Sequence, residues 1–153
     1  MPYTIAQGAP ASALGTLNKI VATINGAQDK LTEAQVTEIK AVKEVYIAAA
    51  TSLQGAGGYS VTNQAVQQWA STHEHINVPI GTFVMSGASL SHASTGYWAS
   101  SFVHEGVHMI HHEFGTAANE RRAYFEQYRS MPPFHVTTGE GAFIKAECGA
   151  NCY

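Results

Sequence analysis

Charged side chains are scarce in this chain. Asp, Glu, Lys and Arg make up 12% of its 153 residues, about half the share of an ordinary soluble domain. Its polar surface must therefore be built largely from Ser, Thr, Asn, Gln and Gly. The formal net charge is −3, and cations cluster only at Arg121-Arg122. That excludes a basic face able to track phosphates, and with it nucleic acid as a partner. No apolar run is long enough to span a membrane. The opening residues Met1-Pro2-Tyr3-Thr4-Ile5-Ala6-Gln7 lack the basic start and apolar stretch of a signal peptide. This leaves the compartment open, although the paucity of Lys leans towards an exported protein. Cysteine is nearly absent: Cys148 and Cys152 are the two in the chain. A disulfide between them would close a short loop and staple the tail alone. With no second Cys pair and no His pair nearby, they do not suit a structural zinc site. A local disulfide or two free thiols is expected.

What is present suffices for one domain over 1–153, since apolar residues reach 45%. Leu14, Leu17, Ile20, Val21 and Ile24 recur at helical spacing, and Asn25-Gly26 stops them. Thr32 and Gln35 form a capping-box pattern. The helix they open would carry the stripe Val36, Ile39, Val42, Tyr46, Ala49 and Leu53, ending at Gly55-Ala56-Gly57-Gly58. Tyr59-Ser60-Val61 reads as a short strand, and Asn63 caps a brief helix through Val66 and Trp69. Between His75 and Met85, Ile76, Val78, Ile80, Phe83 and Val84 are strand formers. Pro79 and Gly81 interrupt them, which points to an edge strand. Ser94 or Thr95 caps a helix ended by Gly115. Thr116 starts another, running to about Ser130, where Pro132-Pro133 blocks continuation. Beyond Phe134 the chain reads as loop or short strand with an irregular tail. The expected fold is α+β, mainly helical with a small antiparallel sheet.

Within the helix after Ser94 lies His104-Glu105-Gly106-Val107-His108. Residues four apart share a helix face, so both imidazoles can reach one zinc ion, and Glu105 can reach a water on it. Trp98, Phe102, Val103, Val107, Met109 and Ile110 make this helix mostly buried. Burying two imidazoles and a carboxylate without partners would be costly, and a metal removes that cost. His111 and His112 fall at the helix end, where cationic His is favourable. His73 and His75 read as loop residues.

Catalytic zinc usually takes three protein ligands and keeps one position for water. A motif extended to H-E-x-x-H-x-x-G-x-x-H would need Gly and His where His111 and Phe114 stand. The remaining common solution is a Glu on the next helix, either Glu120 or Glu126. If the helices fold back at Gly115, His108 and Glu120 lie roughly 10 and 7 Å from the turn, nearly level, and Ala123 lets the helices approach. Glu126 is rotated from Glu120 by about 240°, so the two cannot both face the metal; Glu120 is the better placed.

His104-Glu105-x-x-His108 followed by Glu120-x-x-Ala123 resembles the gluzincin group of zinc metallopeptidases in short, single-domain bacterial form, over about His104 to Gln127. The resemblance implies a zincin-like fold whose edge strand borders a zinc cleft. It further implies an endopeptidase with peptide or protein substrates, with Zn2+ held by His104, His108 and Glu120 and with Glu105 as general base. A downstream Tyr or His would stabilise the oxyanion. Tyr124, Tyr128 and His135 qualify, and His135, in a loop after the proline pair, is the preferred one. Three other readings are a zinc-binding protein without useful hydrolysis, a metalloprotease toxin or effector with a specific target, and a helical interaction domain with an accidental motif.

Overall fold

A computed structural model describes residues 1–49, 53, 57–113 and 115–153. Four strands, β1 (Tyr3–Ile5), β2 (Glu44–Ala48), β3 (Gly58–Ser60) and β4 (Thr82–Ser86), form one sheet in the order β1-β2-β4-β3. The first three in that order run parallel, and β3 is antiparallel to β4. The helices are α1 (Ala13–Gly26), α2 (Glu33–Ala41), α3 (Gln64–Trp69), α4 (Thr95–His111), α5 (Ala117–Arg129), the single turn α6 (Met131–Phe134) and α7 (Thr138–Cys148). The molecule is thus α+β and mainly helical, with a small mixed sheet in place of the expected antiparallel one.

The sheet is covered on both faces, which is what parallel strands require. Val45, Ile47, Phe83 and Met85 point into the main core with Leu17, Ile20, Phe102 and Val103 from α1 and α4. Ala48 and Val84 point the other way, against Val61 and Ile76. Every residue of β4 is buried. Pro79 and Gly81 stand in the turn ahead of β4, where they interrupt nothing, so β4 is a central strand. The outer strands are β1 and β3.

Two other expectations are corrected. The second helix stops at Ala41, and the chain turns at Val42 into β2. Val45 and Ile47 alternate into the core there, a period-two burial that outweighs the helical spacing of Val42, Tyr46 and Ala49. The stop expected around Gly55-Ala56 lies outside the described residues. The tail is helical: Thr137 and Glu140 cap α7 reciprocally, Ile144 and Cys148 are buried, and α7 packs along α5. Cys148 and Cys152 are joined in a disulfide. No helix among the described residues is long and apolar enough to cross a membrane.

Candidate metal centre

Helix α4 runs through the middle of the molecule. Ser94 caps it by accepting from the Tyr97 N–H, and Glu140 of α7 accepts from the Ser94 N–H and hydroxyl at 2.7 and 2.5 Å. Two glycines let other backbone lie directly on it. A Cβ on Gly96 would stand 2.2 Å from the Phe134 carbonyl oxygen, and one on Gly106 would stand 1.9 Å from that of Glu38. The helix is thereby held near each end of its buried stretch, and its histidines are presented from a fixed rod.

His104 and His108 face the same way, with Nε2 atoms 3.3 Å apart. Glu120, in the first turn of α5, lies against both: Oε2 is 3.2 Å from His104 Nε2 and Oε1 is 2.9 Å from His108 Nε2. Ligands about 2.0 Å from a tetrahedral ion are roughly 3.3 Å from one another, so these spacings fit a metal held by three donors. Both histidines are buried. A cluster of His104, His108 and Glu120 could hold a metal ion. Glu126 is turned away and pairs with Arg129 at 3.5 Å.

The far side of each imidazole is tied down. Gln127 Oε1 lies 3.0 Å from His104 Nδ1, and the Gln127 amide donates to Ser100 Oγ at 3.0 Å. The Ser100 hydroxyl donates in turn to the Tyr97 carbonyl. This chain makes the Gln127 oxygen an acceptor, so the proton sits on His104 Nδ1 and the Nε2 lone pair faces the cluster. His108 Nδ1 lies 3.0 Å from Glu113 Oε1, and Glu113 is paired with Arg122. One imidazole is therefore backed by a neutral amide and the other by a carboxylate.

The charges respond to this crowding. Burial works to lower the His108 pKa, but its hydrogen bond to Glu120 and the nearby Glu105 and Glu120 charges win and lift it to about 9. Burial likewise works to raise Glu120, yet the two imidazoles hold it well below the usual carboxylate range. Both shifts favour a cationic His108 beside an ionised Glu120. Glu105 is half-buried at the cleft wall, and desolvation pushes its pKa up against the pull of His104 and His108. Its carboxylate accepts a hydrogen bond from Ser60 on β3.

These groups open into a cleft of about 280 Å³ walled by Tyr59, Thr62, Val66 and Trp69. Beyond Tyr124 lies a recess of about 240 Å³ walled by Phe83, Tyr97, Trp98 and Phe143. Tyr124 packs edge-on against His104, with centroids 4.4 Å apart. Burial and neighbouring acids raise its pKa, so its hydroxyl stays protonated.

His135 is not brought to the cleft. It closes α6 in the left-handed conformation, φ 55°, with an exposed side chain. Its carbonyl lies against Gly96, about 12 Å along α4 from His104. The proline pair directs the chain into a helical turn and not into a loop that could reach back. Tyr128 does not line the cleft either, and Tyr124 does. His73 stacks on Trp69 and joins no metal-holding group among the described residues. Sequence reasoning missed Ser60, Glu113 and Gln127. Gln127 carried a signal, since it follows Glu120 by seven residues and so shares its face of α5. Comparisons with family models, curated proteins and solved structures find no match for this chain.

Proposed function

We propose that this chain is a zinc-dependent endopeptidase. The observation that carries this reading is the convergence of three donors, His104, His108 and Glu120, beside Glu105 at the wall of an open cleft. Structural zinc is closed by four protein ligands, whereas catalytic zinc has three and an open position. A fourth His, Cys, Asp or Glu does not join the group among the described residues.

Zinc in this place lowers the pKa of a bound water and polarises a carbonyl. Glu105 accepts the proton that the attacking water loses, then delivers it to the leaving amine. Tyr124 donates its phenolic proton in a hydrogen bond to the developing oxyanion. Gln127 and Glu113 keep the imidazoles aimed. Among the described residues the edge of β3 away from β4 is unpaired and offers main-chain groups to an extended peptide, and the aromatic side chains of the recess, Phe83, Tyr97, Trp98 and Phe143, favour apolar groups.

The test compares wild-type protein with Glu105→Gln on casein and on a fluorogenic peptide, with metal content measured in parallel. The expected outcome is about one zinc per chain in both proteins and at least a hundredfold loss of kcat in the variant. Equal activity in the two, or a metal-free wild type after exposure to zinc, refutes the proposal.

A further inference from the structure

We infer that Ser60 is a positioning residue for Glu105, which fixes the orientation of the general base from the neighbouring strand. The inference rests on the peptidase reading above.

A Glu side chain has three rotatable bonds, and a carboxylate facing a cleft has no intrinsic reason to hold one direction. Glu105 is half-buried at the cleft wall. Among the described residues, the side chain that donates to it is Ser60, through Oγ to Oε2. A half-buried carboxylate left without that donor loses part of its compensation for desolvation. Ser60 is itself nearly inaccessible, 8% exposed, so the contact is not a surface encounter between mobile groups.

The backbone that carries Ser60 is fixed on both sides. Ahead of it, the Ser86 N–H donates to the Gly57 carbonyl at 2.9 Å. After it, the Val61 N–H donates to Thr82 at 2.9 Å, and the Gly81 N–H donates to Val61 at 2.8 Å. Ser60 stands in register with Phe83 of the buried central strand, whose ring packs on Phe102 of α4 at 5.2 Å. The hydroxyl is therefore referenced to the same helix that carries Glu105. With Oε2 held by Ser60, Oε1 remains to take the proton and return it. Ser60 also lies on an outer strand of the sheet and in the cleft wall with Glu105, so a peptide seated along β3 is registered against the base by one residue.

The experiment uses the full zinc-loaded chain with Ser60→Ala and Ser60→Thr. For Ser60→Ala, kcat is expected to fall about tenfold, with KM and zinc affinity by chelator competition within threefold of wild type. Ser60→Thr keeps the hydroxyl and is expected to restore kcat to within threefold. Crystals of zinc-free Ser60→Ala are expected to show the Glu105 carboxylate in more than one rotamer. The inference is overturned if Ser60→Ala keeps kcat within twofold, if its loss follows zinc affinity downwards, if Ser60→Thr does not rescue, or if Glu105 keeps its single rotamer. Absence of cleavage by the zinc-loaded wild type overturns the peptidase reading itself. Cleavage that Ser60→Ala leaves unmoved overturns the role of Ser60 alone.

Discussion

Gly106, inside the motif, makes the sharpest test of how α4 is seated. A methyl group there would lie 1.9 Å from the Glu38 carbonyl oxygen, 2.4 Å from its carbon and 3.0 Å from its Cα. Ordinary contact needs about 3.4 Å, so α2 and α4 would have to separate by roughly 1.5 Å, in an interior packed without slack. Neither helix can give cheaply. The end of α2 feeds directly into β2 through Val42, whose N–H bonds to Ile39, and β2 pairs on both sides. Helix α4 is pinned at Gly96 and carries both imidazoles. Overpacking of this kind costs up to about 3 kcal/mol where side chains can relax, and more where the obstacle is backbone. Gly106→Ala is therefore expected to destabilise the metal-free protein by about 3 kcal/mol or more, lowering Tm by about 6–12 °C, and to weaken zinc binding as the ligands shift.

Gly15 supplies the control. It lies inside α1 with nothing within 4 Å of a built Cβ, so Gly15→Ala removes only conformational entropy from the unfolded chain and is expected to stabilise by about 0.5–1 kcal/mol. Calorimetry on the two variants reads both effects. If Gly106→Ala melts within 2 °C of wild type (less than about 1 kcal/mol), the close approach of α2 to α4 is wrong, and with it the argument that the helix is rigidly held.

Two further outcomes are expected. Burial and the Glu126 charge raise the Glu38 pKa from 4.5 to about 7, against the pull of Arg129. Stability from its protonated form is then full below pH 4.5 and is lost as pH rises through about 7. Glu38→Gln should be neutral at pH 4.5 and should stabilise by about 1–2 kcal/mol at pH 8 after allowance for screening; equal denaturation midpoints for the two proteins at pH 8 would contradict this. Gln127→Leu and Glu113→Gln should each weaken zinc affinity about 10–100-fold with little change in fold, as measured by chelator competition, and affinities within threefold of wild type would remove both from the support of the histidines.

The parts of the fold that were legible share one property: their signal is local. Ser94 and Thr116 cap α4 and α5 through their own side chains, and Thr32 with Gln35 forms a capping box. The parts that were missed depend on distant partners. Val42, Tyr46 and Ala49 have helical spacing while Val45 and Ile47 alternate, and burial between β1 and β4 decides for the strand. Whether β2 and β4 run parallel depends on chain order in the sheet, which no window of residues contains. Three histidines, His75, His112 and His135, end helical segments in the left-handed conformation, a role expected of Gly or Asn first. Helix α7 was legible in principle, since Thr137 and Glu140 spell a capping box, but Gly139 and Gly141 lower its intrinsic propensity.

The candidate site divides along the same line, and the division is instructive. Once α4 and α5 fold back on each other, each turn up one helix meets the corresponding turn down the other. The level pair His108 and Glu120 then sets the pair His104 and Tyr124 one turn away and the pair Ser101 and Gln127 one turn beyond that. All three pairs are in contact. Glu120, Ala123, Tyr124 and Gln127 have the spacing of a buried stripe, yet Glu120 and Gln127 are polar. Polar groups on an inward stripe need partners, and the only inward partners α4 offers at those levels are its histidines and serines. The register of one ligand pair thus contained the support of His104 without any knowledge of the sheet. Ser60 had no such route. It is separated from Glu105 by 45 residues and reaches it only because β3 joins β4 and β4 packs on α4. The proposed base is oriented by the tertiary fold, while the three side chains that could hold a metal are arranged by a helical hairpin.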